Sequence, residues 1–479
     1  FLVWDGERLS MLLKEHPEIV DDFFERNWVA AFCGNEVAQK LGQRLNHAQT
    51  EAALTAYHLW LRNSFGHVVY RGFPQASHST SVLELSIELV YIAPFVKPEG
   101  EYLEHFRKER EILHHLETSV ENETRIRLEE ELRQSKDNDW RFFPPSNLEQ
   151  IDNWGLTTLA EYQASVPIDI IFKSHSQCVI LGSPGAGKSL LMRWLALELI
   201  REQIDVDLPP ATAKLTDGSR LFPIVISLAS FANAVKVKGS LSLFDFIVES
   251  VDSLGIDNLA VLFKSEWTAK RCWTLLDGLD EVADAAMRAI IVQKVESFLA
   301  SCGANRCTIT SRKHGYERVQ GLTHFYLQGF NPQQISEFIF RWYLATAVED
   351  KLGQHDLDDI HERHHSIISE INANEHLRAL AANPLLMVAM LIMHKEHERL
   401  PQSRVEIYES MTQTLLETWN RWRSQEQYDI GGQKLAAFQL RKVLEKVALW
   451  SRQEKVHGVM RRSELKRQII SALMYAGLE

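Results

Sequence analysis

Cys178-Val179-Ile180-Leu181-Gly182-Ser183-Pro184-Gly185-Ala186-Gly187-Lys188-Ser189 decides how this chain is read. Four apolar residues stop at a glycine, a loop of fixed spacing follows, and Leu190–Leu197 continues with helical periodicity. That is strand, loop and helix, and the loop is spaced G-x-x-x-x-G-K-S. Phosphate chemistry dictates the spacing. Glycines let successive backbone N–H groups turn inward with no Cβ in the way, forming an anion nest. The next helix adds its N-terminal N–H groups and the positive end of its dipole. Lys188 supplies a full charge to the β- and γ-phosphates, and the Ser189 hydroxyl ligates Mg²⁺. The expected nucleotide contacts are therefore Gly182, Ser183, Pro184, Gly185, Ala186, Gly187, Lys188, Ser189 and Leu190, with ATP or ADP and Mg²⁺ as cofactors.

Downstream, short apolar runs at Phe222–Leu228, Trp273–Leu276, Cys307–Thr310 and Phe325–Leu327 alternate with helical stretches such as Leu243–Val251 and Ala285–Leu299. This alternation predicts an α/β fold, a parallel sheet covered on both faces. Its loops gather at the strand C-terminal edge, where Gly182 sits. The run Leu275-Leu276-Asp277-Gly278-Leu279-Asp280-Glu281 is an apolar strand ending in an aspartate. On a strand expected to neighbour the phosphate loop, Asp277 holds Mg²⁺ opposite Ser189. Asp280 and Glu281 follow a glycine turn, and either one orients or deprotonates the attacking water. Thr308-Ile309-Thr310-Ser311-Arg312 brings an arginine to the same edge, where bidentate hydrogen bonding suits it to sense a γ-phosphate. The expected catalytic set is Asp277, Asp280, Glu281 and Arg312, with Ser189 and Asp277 on the metal.

Length and composition set bounds. The chain has 479 residues, room for about three domains. Hydrophobic residues make up 45% and charged residues 24%, as in a soluble globular protein. A net charge of −12 argues against a chain-wide grip on nucleic acid. No apolar run reaches the ~18 residues of a membrane span, and Phe1–Gly6 has no basic segment ahead of an apolar one. The absent initiator methionine leads us to expect a fragment. Cysteines at 33, 178, 272, 302 and 307 form no C-x-x-C pair, which reads as a reducing, cytoplasmic compartment.

The flanks are less specific. Residues 1–68 look helical and amphipathic, with Leu9, Leu12, Leu13, Val20, Phe23 and Phe24 in one run and Leu54, Tyr57, Leu59 and Leu61 in another. Residues 82–92 alternate like a half-buried strand that Pro94 and Pro98 stop. Glu101–Lys136 is a charged helical insertion, and Asp137–Asp139 with Pro144-Pro145 marks a linker. The expected domains are 1–68, 69–150, 151–330, 331–400 and 401–479. Beyond Phe330 the pattern is helical, with Ile335, Phe338, Ile339 and Trp342 on one helix. His361-Glu362-Arg363-His364-His365 fits the zinc-protease spacing H-E-x-x-H. Its polar surroundings, with Asp356, Asp358 and Asp359 close by and no third ligand pattern, favour a solvated face.

D-G-L-D-E at 277–281 followed by T-S-R at 310–312 resembles the NACHT family of signalling NTPases, in the STAND class. The resemblance runs from about residue 155 to 479. It implies a P-loop sheet followed by helical and winged-helix domains, and the N-terminal region ahead of them reads as mainly helical. Leu377-x-x-Leu380-Ala381-x-Asn383-Pro384-Leu385-Leu386 is similar to the family segment whose proline packs on adenine, which implies that Pro384 walls the base pocket. An ordinary N-P helix start explains the same residues. Leu400–Tyr408 resembles the opening of the winged-helix domain, which continues through Trp419 and Trp422 to Leu435–Trp450 and Arg461–Tyr475. There it would lock the ADP state rather than bind DNA, with His457 the candidate phosphate-contacting histidine.

The resemblance further implies a signalling switch. ATP binding and slow, Mg-dependent hydrolysis would control homo-oligomerisation in bacterial anti-phage defence, under a trigger such as a phage protein. Val3-Trp4-Asp5-Gly6-Glu7-Arg8-Leu9 resembles the tail of a restriction-endonuclease-like domain whose chemistry would lie upstream. One alternative is accordingly the regulatory ATPase of a nuclease, touching nucleic acid only through that effector. The other is a transcriptional regulator that uses the winged helix on DNA. No membrane contact is expected, and no repeat of 20–50 residues is present, so a sensor is expected outside this sequence.

Overall fold

The structure, a computed structural model, describes residues 45–70, 83–99, 165–204, 215, 220–349 (except 283, 314 and 315), 356–397 and 400. Beyond these it describes 405–406, 408–409, 412, 429–430, 433–434, 437–454 and 462–475. The resemblance at Val3–Leu9, the run Leu9–Phe24, the insertion Glu101–Lys136, the linker, Trp419, Trp422 and His457 lie outside the described residues.

In chain order the first half holds α1 (His47–Phe65), β1 (His67–Tyr70), β2 (Leu83–Ser86), α2 (Ile87–Val90), β3 (Phe95–Pro98), β4 (Val166–Pro167) and α3 (Ile168–Ser174). Next come β5 (Gln177–Leu181), α4 (Lys188–Ile204), β6 (Phe222–Ser227), α5 (Leu228–Val237), α6 (Leu243–Asp252) and α7 (Leu259–Thr268). They are followed by β7 (Cys272–Asp277), α8 (Ala285–Cys302), β8 (Arg306–Ser311) and β9 (Thr323–Leu327).

The main sheet runs β4-β3-β9-β5-β8-β7-β6. From β9 to β6 every pairing is parallel. β5 lies between β8 and β9, and its residues Cys178, Val179 and Ile180 are fully buried. A strand covered on both faces must be apolar throughout rather than alternating, which is why Cys178–Leu181 reads as one unbroken run. Two expectations need correction. The sheet is not purely parallel: β3 pairs antiparallel with both β9 and β4, so a strand from the 69–150 region belongs to it. Asp277 is not on the strand next to β5, because β8 intervenes.

The flanking segments also differ from the expectation in detail. Ala53, Leu54, Tyr57 and Leu61 of α1 join the core of the sheet, whereas Leu59 is 59% exposed and faces solvent. Asn46 and Gln49 close a reciprocal capping box at the start of α1. The strand expected over 82–92 ends at Ser86, where the backbone turns into α2, and Pro98 ends a strand of its own. β3 pairs only at its first two residues with β4, so Pro98, which lacks an N–H, costs that edge no ladder bond.

α9 (Pro332–Glu349), α10 (Asp356–Ala373), α11 (Glu375–Ala381) and α12 (Pro384–His397) build a second core around Trp342, Leu377, Met387 and Leu391. Leu85, Val90 and Ile92 belong to this second core and Val96 to the first. The stretch 83–98 therefore stitches the two together. Tyr91 stacks on Trp194 of α4 with ring centroids 4.4 Å apart. The Gln334 side chain donates to the Ala93 carbonyl at 2.7 Å. The Gln328 N–H donates to the Phe95 carbonyl at 2.9 Å, so two of the described crossings between the cores lie side by side. After these come β10 (Asp429–Ile430), paired antiparallel with β11 (Gln433–Lys434), then α13 (Ala437–Glu454) and α14 (Arg462–Tyr475). Among the described residues no single helix is long and apolar enough to cross a membrane.

The edge strand β6 is covered by α1. The fully covered Tyr57 ring stacks on Phe222 at 4.8 Å, and its hydroxyl donates to the Pro223 carbonyl at 2.8 Å. Tyr57→Phe removes the donor and leaves a buried carbonyl, at a cost of about 1–2 kcal/mol. Tyr57→Ala also opens a cavity and should cost about 3–5 kcal/mol. Urea unfolding of both variants checks the ladder, and equal midpoints for Tyr57→Phe and wild type would refute the hydrogen-bond share.

Candidate functional site

Parallel register brings the site together. Leu181 of β5 is level with Ser311 of β8, and Leu276 of β7 is level with Ile309. The strands thus end at one edge, and the Gly182 N–H continues the ladder to the Ser311 carbonyl at 3.1 Å.

The loop then folds on itself. Gly185 and Gly187 take φ of +76° and +88°, the left-handed region that favours glycine. The Ala186 N–H donates to the Ser183 carbonyl at 3.2 Å, and the Leu191 N–H donates to the Gly187 carbonyl at 2.8 Å as α4 begins. The Lys188 ammonium bends back to donate to the carbonyls of Gly182 at 2.8 Å and Ser183 at 3.1 Å. Ser189 is exposed, and Leu190 packs partly against the core. A Cβ on Gly182 would stand 3.2 Å from Leu327 and 3.3 Å from the Lys188 side chain, so this glycine seats the lysine stem.

Facing the loop is an acidic cluster. Asp277 ends β7, and its Oδ1 accepts a short hydrogen bond from the Thr310 hydroxyl on β8. The same hydroxyl accepts the Gly278 N–H at 3.0 Å. Thr310, on the intervening strand, therefore fixes both the carboxylate and the turn behind it, while the second carboxylate oxygen remains for a cation or water. The turn places Gly278 at φ +79°; a Cβ there would meet the Glu281 carboxyl carbon at 2.9 Å. Asp280 and Glu281, equivalent in the sequence, are separated by the structure. Asp280 is nearly buried, with 11% of its side chain exposed, and it holds Arg312 twice: Nε at 2.8 Å and the backbone N–H at 2.9 Å. Glu281 is exposed.

The charges sense one another. Burial lowers the Lys188 pKa; Asp280, Asp277 and Glu281 oppose that, while Arg312 adds to it. Glu281 is shifted upward, first by partial burial and then by Asp277 and Asp280, against the pull of Arg312 and Lys188. Lysine and carboxylates thus lie close enough to act on one another's titration.

The helical half touches the loop directly. Pro384 opens α12 as its first residue, where a missing N–H costs nothing. The residue before it, Asn383, donates from Nδ2 to the Pro184 carbonyl at 3.0 Å, and the Leu385 N–H points to the Gly185 carbonyl at 3.3 Å. Motif spacing alone assigns no role to Thr310 or Asn383. The N-P helix start signals a cap, and nothing local signals its contact with a loop some two hundred residues earlier.

Elsewhere, His361 and His365 are exposed, and His364 bonds to the Ser336 hydroxyl at 3.0 Å. Among the described residues no group of three or more His, Cys, Asp and Glu side chains is arranged to hold a metal ion. Cys178, Cys272, Cys302 and Cys307 are buried thiols.

The NACHT domain family matches residues 176–346. The chain carries a NACHT domain. NACHT domains are P-loop NTPases, which makes residues 176–346 a nucleotide-binding domain of that class. No curated protein matches it. Among solved structures it is similar to C. elegans PCH-2, at 13% identity and a TM-score of 0.27, over 47% of this chain and 62% of that one. It is similar to AMPPCP-bound DnaA from Aquifex aeolicus at 15% identity and a TM-score of 0.27, over 67% and 88% of the two chains. It is similar to Drosophila ORC bound to DNA at 14% identity and a TM-score of 0.29, over 64% and 76%. The NACHT-bearing chain spans 62% of the PCH-2 chain it matches.

Because the raised Glu281 pKa disfavours its charged form in the fold, the folded state is penalised once pH rises through that value. Glu281→Gln is therefore expected to raise the thermal unfolding midpoint at pH 8 and to give a smaller gain at pH 4. Identical shifts at both pH values in thermal scans would contradict an origin in burial and the neighbouring carboxylates.

Proposed function

We propose that this protein is an ATP-dependent signalling switch whose hydrolysis is slow, on the order of 10⁻⁴ to 10⁻² per second as in unassisted signalling NTPases. The observation that carries it is the division of labour at the sheet edge, with Asp280 engaged by Arg312 and Glu281 left exposed. Gly182–Leu190 bind the phosphates, and Lys188 exchanges its loop carbonyls for phosphate oxygens. Ser189 and Asp277 would hold Mg²⁺, whose preference for oxygen donors fits a hydroxyl and a carboxylate. The bound ion neutralises charge on the β- and γ-phosphates.

In this reading Glu281 is the water-orienting base. A carboxylate shifted toward neutrality is better matched to proton transfer near pH 7 than an ordinary one. Asp280 acts as a holder instead. Its ion pair keeps the Arg312 guanidinium at the edge until a γ-phosphate competes for it. A triphosphate shifts a conformational equilibrium only through contacts that differ between two states, and exchange of Arg312 between Asp280 and phosphate is such a contact. Pro384 stands at the start of α12, beside the loop, as a wall for the base. Self-association on ATP binding and a role in bacterial defence against phage, under a trigger such as a phage protein, complete the proposal; these rest on the family's known behaviour.

Lys188→Ala should purify without nucleotide and fail to self-associate, as read by mass spectrometry of the bound fraction and by light scattering. Glu281→Gln should retain ATP and lose about 10²-fold or more in hydrolysis, whereas Asp280→Asn should keep more activity than Glu281→Gln. Assembly of Lys188→Ala at the wild-type level would overturn the switch. Asp280→Asn falling below Glu281→Gln would reverse the assignment of the base.

A further inference from the structure

The turn Ala382–Leu385 bonds to two separate parts of the sheet edge. On one side the Phe330 N–H donates to the Ala382 carbonyl at 2.7 Å, and a Cβ on Gly329 would stand 2.8 Å from that oxygen. On the other, Asn383 and Leu385 reach the carbonyls of Pro184 and Gly185 in the phosphate loop. The approach is close. A Cβ on Gly185 would lie 2.7 Å from Asn383 Oδ1 and 2.9 Å from Leu385 Cβ, so this loop glycine makes room for the helix as well as for the turn.

Asn383 divides its amide between two tasks. Its Oδ1 accepts the N–H groups of Leu385 at 3.0 Å and Leu386 at 3.4 Å, capping α12. Its Nδ2 donates to the Pro184 carbonyl. The Pro184–Gly185 peptide is trans, so its C=O and N–H point to opposite sides of one plane. Holding the carbonyl toward α12 turns the Gly185 N–H away from the helix. From these contacts we infer that Asn383 is a positioning residue for nucleotide retention: it sets one N–H of the anion nest from the helical half, and thereby ties the lifetime of bound ADP to the seating of α12. The inference rests on the nucleotide reading above.

The cap and the donor can be separated. Asn383→Ser keeps a good N-cap but is too short to reach Pro184, and Asn383→Asp caps while lacking the N–H. Asn383→Ala loses both. Labelled ADP is loaded on the full chain, and its release is followed after mixing with excess unlabelled ADP, alongside each variant's thermal midpoint. Ser and Asp are expected to melt as wild type does yet release ADP about three- to tenfold faster, the worth of one neutral hydrogen bond. Ala should be faster still and less stable. Wild-type release from either cap-keeping variant overturns the inference and leaves the nucleotide reading intact, since it shows that only the cap matters. Failure of wild type to hold labelled ADP at all sinks both.

Discussion

The pairing of β5 with β8 is the constraint on which the site depends. It is a parallel ladder in which Leu181 is level with Ser311, extended by one bond from Gly182. Parallel pairing gives β9, β5, β8, β7 and β6 the same polarity, so their C-terminal loops must emerge at one edge. The insertion of β8 between β5 and β7 then decides what faces what. With adjacent strands about 4.8 Å apart, Asp277 on β7 is separated from β5 by roughly two spacings, and β8 fills the gap between them. Thr310 sits in that gap and orients the carboxylate. The loop, the acid and the arginine are functional neighbours because of strand order, not because of their distance in sequence.

Strand order is also where the sequence falls silent. Gly182–Ser189 and Asp277 can be read directly, since phosphate chemistry demands particular residue types at fixed spacing. The apolar runs mark β5, β6, β7, β8 and β9 to within two residues, because buried parallel strands cannot alternate. Which strand lies beside which follows from long-range packing, and no local pattern encodes it. The same holds for β3. Phe95–Pro98 carries two-residue alternation and a proline, and its pairing with β9 becomes visible only in three dimensions.

Among the candidate residues the split is similar. Asp280 and Glu281 are chemically alike and adjacent, so sequence treats them as a pair. After the left-handed turn at Gly278, Asp280 holds Arg312 while Glu281 is exposed. Asn383 reads as a helix cap, which it is; its amide nitrogen has no local partner to reveal, because that partner is the phosphate loop. Residues whose type and spacing phosphate chemistry would demand are legible from the motif, whereas contacts between distant parts of the chain require the fold.

The double crossing between the two cores has a mechanical consequence. The segments around Phe95 and Gln328 run antiparallel and are tied by a main-chain bond, and each passes from one core to the other. A single tether would let the helical half swivel in any direction. Two tethers laid edge to edge behave as a flat ribbon, which flexes readily about its thin dimension and resists torsion. A swing of the helical half about this ribbon would lift the start of α12 from the phosphate loop, and its reversal would return α12 to the same seat.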